Sequence, residues 1–242
     1  MAKPGSALLA KAGRTGRVYR LAVAVWLFGA TPVVFAATLT GHVELIDKGA
    51  GRALDTAEIR DAVVFFQPSE APPVRPLDRP PRMVTVDKEF RPRVLPVTVG
   101  STVSFPNQDP ILHNVFSVSS GNSFDLGFYK KGEGKEWTFD RLGLVRVYCN
   151  VHYDMVGYIL VLDTPFYVSP DARGNFRLDN LPPGPGRLTV WQERAKPWSQ
   201  QLAIPTKAPV EIPLEVVRPR VPKHSNKFGK PYQRGERGQR YR

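Results

Sequence analysis

The only cysteine in the chain opens the run Cys149-Asn150-Val151-His152-Tyr153-Asp154-Met155, a Cys-x-x-His-x-x-Met spacing. His113 lies 36 residues upstream, at the start of another strand-forming run. One thiolate, two imidazoles and one thioether are the ligand set of a type 1 copper site. A soft thiolate binds copper covalently, and two imidazoles complete a trigonal plane that Cu(I) and Cu(II) both tolerate; a long axial thioether tunes the potential. The spacing suits the task. A cysteine that ends a strand needs a tight loop to return a histidine and a methionine to the same ion, and two residues in each gap make such a loop short. Taken singly, Cys149 and Met155 read as packing residues and His113 as a satisfied strand histidine. Together at this spacing they read as His113, Cys149, His152 and Met155 around one ion.

Other chemistries find little support. One cysteine allows no intrachain disulfide and no four-cysteine zinc site. No carboxylate pair, Ser/His/Asp set or Gly-rich phosphate loop stands out, and a four-ligand copper site keeps no position open for substrate. The expectation is therefore that the protein is not an enzyme. His42 and His224 read as isolated surface residues.

The elements that must position the four ligands are strands. Between residues 37 and 217 no run keeps a 3.6-residue period over three turns, whereas short alternating or β-branched runs recur, each closed by Gly, Pro, Asn or Asp. The candidates are Thr38–Ile46, Ala62–Gln67, Arg82–Asp87, Val94–Val99, Thr102–Asn107, Asn114–Val118, Glu136–Phe139, Val145–Cys149, Tyr158–Leu162, Phe166–Ser169, Asn175–Leu178, Arg187–Trp191, Ser199–Ile204 and Val210–Val216. One short helix fits at Thr56–Arg60. Fourteen strands are too many for one small sandwich and suit two. Residues 70–82 hold five prolines in thirteen positions and read as an extended linker or edge loop. A second seam falls at Leu162-Asp163-Thr164-Pro165.

Hydrophobic residues make up 42% of the 242 positions and charged ones 23%, so most of the chain should bury a core. The formal net charge of +12 suggests a nucleic-acid binder until its distribution is read. Residues 1–36 carry five Lys/Arg and no acid, and residues 218–242 carry nine with one acid, Glu236. The middle holds 20 basic and 21 acidic residues, so the folded part is neutral and nucleic acid is not an expected partner.

The first segment reads as a secretory signal peptide. Lys3, Lys11, Arg14, Arg17 and Arg20 precede the apolar run Leu21 to Ala30, Pro32 breaks it, and Val34-Phe35-Ala36 offers a cleavage site. The apolar stretch to Ala37 is 17 residues, short against the ~20 of a spanning helix. Export to the periplasm is expected. A single thiol there is open to oxidation, and ligation would keep it as thiolate. The last segment, 218–242, has no aliphatic residue after Val221 and is expected to be disordered. Weak attraction to an acidic partner or an anionic membrane surface would be its use.

Two resemblances sharpen the picture. Asp171-Ala172-Arg173-Gly174-Asn175-Phe176, followed by Leu181-Pro182-Pro183-Gly184, resembles the transthyretin-like, carboxypeptidase-regulatory-like β-sandwich. Residues 37–69 and 163–217 are expected to build this accessory sandwich together. The block 83–162, from Phe90-Arg91-Pro92-Arg93 through Asp109-Pro110-Ile111-Leu112-His113-Asn114 to the ligand loop, resembles cupredoxins of the amicyanin and plastocyanin-like group, and exported methylamine-utilisation-like proteins. That resemblance implies an all-β fold with a Greek-key sandwich, one type 1 copper ion on His113, Cys149, His152 and Met155, and outer-shell bracing by Asn114 and Asn150. It also implies single-electron transfer with a redox protein partner, an acidic one included, docking weakly beside His152. Tyr153 and Asp154 depart from the apolar patch such proteins place around that histidine. A copper-delivery module, or a scaffold with a secondary copper site, would use the same residues differently.

Overall fold

The run Val156-Gly157-Tyr158-Ile159-Leu160-Val161-Leu162 is apolar at every position, and the computed structural model buries all seven residues. A strand without a polar face must be covered on both sides. Ile159 and Val161 face one apolar core, whereas Tyr158, Leu160 and Leu162 face another. The strand is thus the wall between two halves of the molecule, and each large side chain it buries contributes about 1.5–3 kcal/mol relative to exposure. The structure describes residues 1, 36–47, 52–53 and 56–232. The expected signal segment 1–36 lies almost wholly outside them. No helix among the described residues is long and apolar enough to cross a membrane.

Among the described residues the chain is all-β apart from one helical turn, Thr56–Ile59. The central sheet runs in the order Val94–Thr98, Val156–Leu162, Gly143–Cys149, His113–Ser119, Asn122–Tyr129. Its first pair is parallel and the others are antiparallel. A two-stranded sheet, Ser101–Pro106 with Gly134–Phe139, shares its core: Val103, Phe105 and Phe139 pack with Val115, Phe124, Val145, Val147 and Ile159. A short hairpin pairs Val84–Val86 with Glu89–Arg91.

Residues on either side of this block share a second core. One sheet orders Asn175–Leu181, Ala37–Asp47 and Val210–Glu215, with Arg52–Ala53 added to the middle strand. The other orders Tyr167–Val168, Val63–Pro68, Gly184–Trp191 and Trp198–Ile204. Leu39, Val43, Phe176 and Ile212 of the first meet Val64, Phe66, Leu188 and Ile204 of the second. The Asp171 turn starts one strand: its carboxylate accepts the backbone N–H of Arg173 and Asn175, and Gly174 takes φ +87°, where a side chain would run into the Val43 carbonyl. Residues 70–82 form no strand but run along the central block, with the Arg75 carbonyl on Thr98, the Leu77 N–H on Ser101 and the Pro81 carbonyl on Ser104.

Val63 and Trp191 of the second unit join Tyr148, Tyr158 and Leu160 of the first in one shared cluster. Beside it lies a group of charges. Arg93 donates to both carboxylate oxygens of Glu193 at 2.8 Å, and Arg194 and Arg220 reach Glu58 at 2.6 and 3.1 Å. Burial, reinforced by repulsion from Glu193, pushes the Asp61 carboxyl up to about 6. A carboxyl raised in the folded state takes its proton before the unfolded chain does, so its contribution to stability declines as pH rises from about 4 to about 6. Asp61→Asn is expected to flatten that slope and to stabilise the protein at pH 7 by on the order of 1 kcal/mol, read by urea unfolding at pH 4.5 and 7.

The basic C-terminal segment corrects the sequence reading. Disorder was expected from Arg218 onward, yet Arg218 and Arg220 pack against Arg194 and Glu58 of the second unit, and His224, Lys227 and Tyr232 against the central block; residues 233–242 fall outside the described residues. Counting aliphatic residues misses what holds this strap. His224 and Tyr232 contribute ring surface, and Arg220 and Lys227 meet the acids Glu58 and Asp125.

Candidate metal centre

Alternation along Gly143–Cys149 decides which way the thiol points. Val145, Val147 and Cys149 face the inner core, whereas Leu144 and Tyr148 face the second, shared cluster. Cys149 ends its strand opposite Val115, two residues from His113 on the neighbouring strand. The chain then turns back at once. The Met155 N–H donates to the His152 carbonyl, and the Cys149 N–H donates to the Met155 carbonyl, both at 3.2 Å. This closed loop returns His152 to the sulfur.

The Cys149 sulfur lies 3.5 Å from Nδ1 of His113 and 3.5 Å from Nδ1 of His152. The three donor atoms all lie within 4.8 Å of one another. The two imidazole rings are 4.9 Å apart between centroids. Ion–nitrogen and ion–sulfur distances of about 2.0 and 2.3 Å separate the two donors by about 3.5 Å at an angle near 110°. The donor set therefore fits one small thiophilic ion. Cys149 and His113 are fully buried, Met155 is buried in the same apolar cluster as the thiol, and His152 is half-buried.

Electrostatics leave both imidazoles ready to ligate. Burial lowers the His113 pKa, against the pull of Asp109. For His152, burial and then the positive charge of His113 push the pKa down to about 4. Both rings are neutral at pH 7, with lone pairs available to a metal.

A second shell holds the first. His113 Nε2 bonds Asp109 Oδ2 at 2.9 Å, which fixes Nδ1 as the atom facing the sulfur. Asp109 is buried and also accepts the backbone N–H groups of Asp87 and Lys88 at 2.7 and 2.9 Å. Those two residues form the left-handed turn of the 84–91 hairpin, at φ 55° and 58°. Burial alone would raise the Asp109 pKa, but these backbone donors and His113 outweigh it and hold the carboxyl below its ordinary value. Asp109→Asn places an amide NH2 against one of these donors. It is expected to lower stability by about 1–3 kcal/mol, measured by urea unfolding of the metal-free protein.

Asn114 and Asn150 sit where bracing was expected but act in particular ways. The Asn150 N–H donates to the Asn114 carbonyl at 3.0 Å, tying the two ligand segments through the backbone. The Asn114 side chain donates to Asp125, and the Asn150 side chain accepts the Lys227 N–H. The sequence reading gave Asp109, Asp125 and the strap no role at the centre. An aspartate four residues before a ligand histidine is the signal that could have flagged Asp109. His42 bonds the Arg173 carbonyl at 2.8 Å, far from the centre in sequence and in contacts. His224, read as a surface residue, instead lies between the rings of Tyr148 and Tyr153.

No family model matches the chain, and no curated protein matches its sequence. Among solved structures, a purple cupredoxin from Nitrosopumilus maritimus is 24% identical, covering 34% of this chain and 99% of its own, with a TM-score of 0.32. A reduced amicyanin variant is 25% identical, covering 42% and 99%, with a TM-score of 0.33. An oxidised amicyanin variant is 24% identical, covering 40% and 99%, also at 0.33. TM-scores this low place no functional weight on the likeness.

Proposed function

We propose that this chain is an exported type 1 copper protein that carries single electrons between redox partners in the periplasm. The observation that carries the reading is one buried thiol equidistant, at 3.5 Å, from the Nδ1 atoms of two neutral histidines. His113, Cys149 and His152 would hold the ion, and Met155, buried in the same apolar cluster as the thiol, would be a fourth, weaker ligand. When bound, copper supplies a one-electron couple between Cu(II) and Cu(I).

The protein's part is to keep its donors still. Asp109 fixes the His113 ring, Asn114 fastens the loop at Asn150, and the closed turn from Cys149 to Met155 fixes His152. Donors that hold one geometry in both oxidation states lower the cost of passing an electron. Three assigned ligands are buried, whereas His152 is half-buried and so forms the edge through which an electron would leave. A redox partner with an acidic rim would dock there in a weak, salt-dependent encounter.

Voltammetry of the copper-loaded protein tests this. A reversible one-electron wave is expected, and Met155→Leu is expected to keep the wave and shift its potential. A wave that Met155→Leu leaves unmoved would remove Met155 from the ligand set. Absence of any reversible wave would overturn the carrier function.

A further inference from the structure

The strap that the sequence reading left disordered crosses the outer face of the ligand loop, and its contacts are not scattered. Three of them fall on the consecutive residues Tyr148, Cys149 and Asn150. His224 stacks on Tyr148, with centroids 4.3 Å apart and planes 17° apart. The Tyr232 hydroxyl, buried, donates to the Cys149 carbonyl at 2.8 Å. The Lys227 N–H donates to Asn150 Oδ1 at 3.1 Å. His224 also stacks on Tyr153, the residue after ligand His152, at 4.5 Å and 8°, while Tyr232 packs edge-on against both rings.

The strap is itself anchored before this contact and within it. Arg220 pairs with Glu58, and its carbonyl accepts from Arg93. The Lys227 ammonium pairs with Asp125 at 2.7 Å, and Asp125 accepts from Asn114, the neighbour of ligand His113. A turn capped by the Asn226 side chain, which accepts from the N–H groups of Phe228 and Lys230, precedes Tyr232 and its bond to the Cys149 carbonyl.

We propose that His224, Lys227 and Tyr232 are positioning residues of the metal centre: the C-terminal strap fastens Tyr148, Cys149 and Asn150 and so holds the thiol against both imidazoles. Strand geometry explains how the strap reaches this segment. Cys149 points its sulfur into the inner core, while the Tyr148 ring lies on the opposite face of the strand, where His224 stacks on it. The Tyr232 hydroxyl donates to the backbone of the thiol residue itself and so restrains Cys149 at its carbonyl. The copper function rests on the preceding proposal; the fastening of the thiol does not.

The test begins with the metal-free full chain and an aromatic disulfide reagent. Cys149 is fully buried, so its reaction reports opening of the loop. Tyr232→Phe and His224→Ala are each expected to speed the reaction about tenfold, equivalent to about 1.4 kcal/mol. Asp179→Asn, which weakens an exposed contact on the other unit, is expected to leave the rate unchanged. In copper-loaded protein, Tyr232→Phe is expected to change the EPR parallel hyperfine splitting and to speed loss of Cu(I) to a chelator. Thiol rates within twofold of wild type in both variants, and in a chain ended after Pro219, would overturn the proposal. The thiol readings need no metal, so a wild-type protein that binds no copper would refute the carrier function separately.

Discussion

Cys149→Ser is expected to abolish the intense absorption near ~600 nm of the Cu(II)-loaded protein, because that band arises from charge transfer between thiolate and Cu(II). Serine is nearly isosteric, so the buried position and the loop hydrogen bonds from Cys149 to Met155 should persist. His113 and His152 remain, held by Asp109 and by the loop. The variant should therefore fold and bind Cu(II) weakly, as a colourless site with two imidazoles. Loss of a direct ligand should exceed the about 100-fold in affinity that loss of an outer-shell partner costs. Chelator competition measures the affinity, and a retained blue band would remove Cys149 from the site.

Arg93→Ala is expected to cost about 3–5 kcal/mol, the range for removing one partner of a buried ion pair. Glu193 is 1% exposed at its side chain and Arg93 14%, so the lost charge cannot be replaced cheaply by water. The damage should extend to the site. Arg93 also donates to the carbonyl of Val156, the residue after Met155, and to the carbonyl of Arg220 in the strap. One guanidinium thus joins the second unit, the end of the ligand loop and the strap. Urea unfolding of the metal-free protein measures the loss. The double variant Arg93→Met with Glu193→Leu should recover much of it, since a well-packed apolar pair can replace a buried ion pair at little cost. A loss under 1 kcal/mol for Arg93→Ala would show the pair to be solvated and the junction loose.

Much of the centre was legible because ligand chemistry is carried by residue type and local spacing. Cys149, His152 and Met155 lie in one seven-residue run, and His113 begins a strand that pairs with the cysteine strand. The all-β class followed from short alternating runs. The strand Asn122–Tyr129 escaped notice because its alternation changes phase. Phe124 is buried but Phe128 is exposed and Tyr129 buried, with Gly127 at φ +65° between them. Asp109 escaped because its acceptor role depends on a hairpin more than twenty residues earlier, whose N–H groups point at it only in the folded chain. The strap escaped because its partners are spread over Glu58, Asp125, Tyr148 and Tyr153. Burial by aromatic stacking and scattered ion pairs has no periodic signature in sequence.

Titration of the full chain with Cu(II), followed by visible absorption and EPR, tests the central claim most directly. Saturation at one equivalent with an intense band near ~600 nm and narrow parallel hyperfine splitting is the expected result. Tight Cu(I) binding without colour in the Cu(II) form would contradict it and identify a copper-handling module, and no copper binding at all would leave a two-unit β-scaffold with a buried thiol.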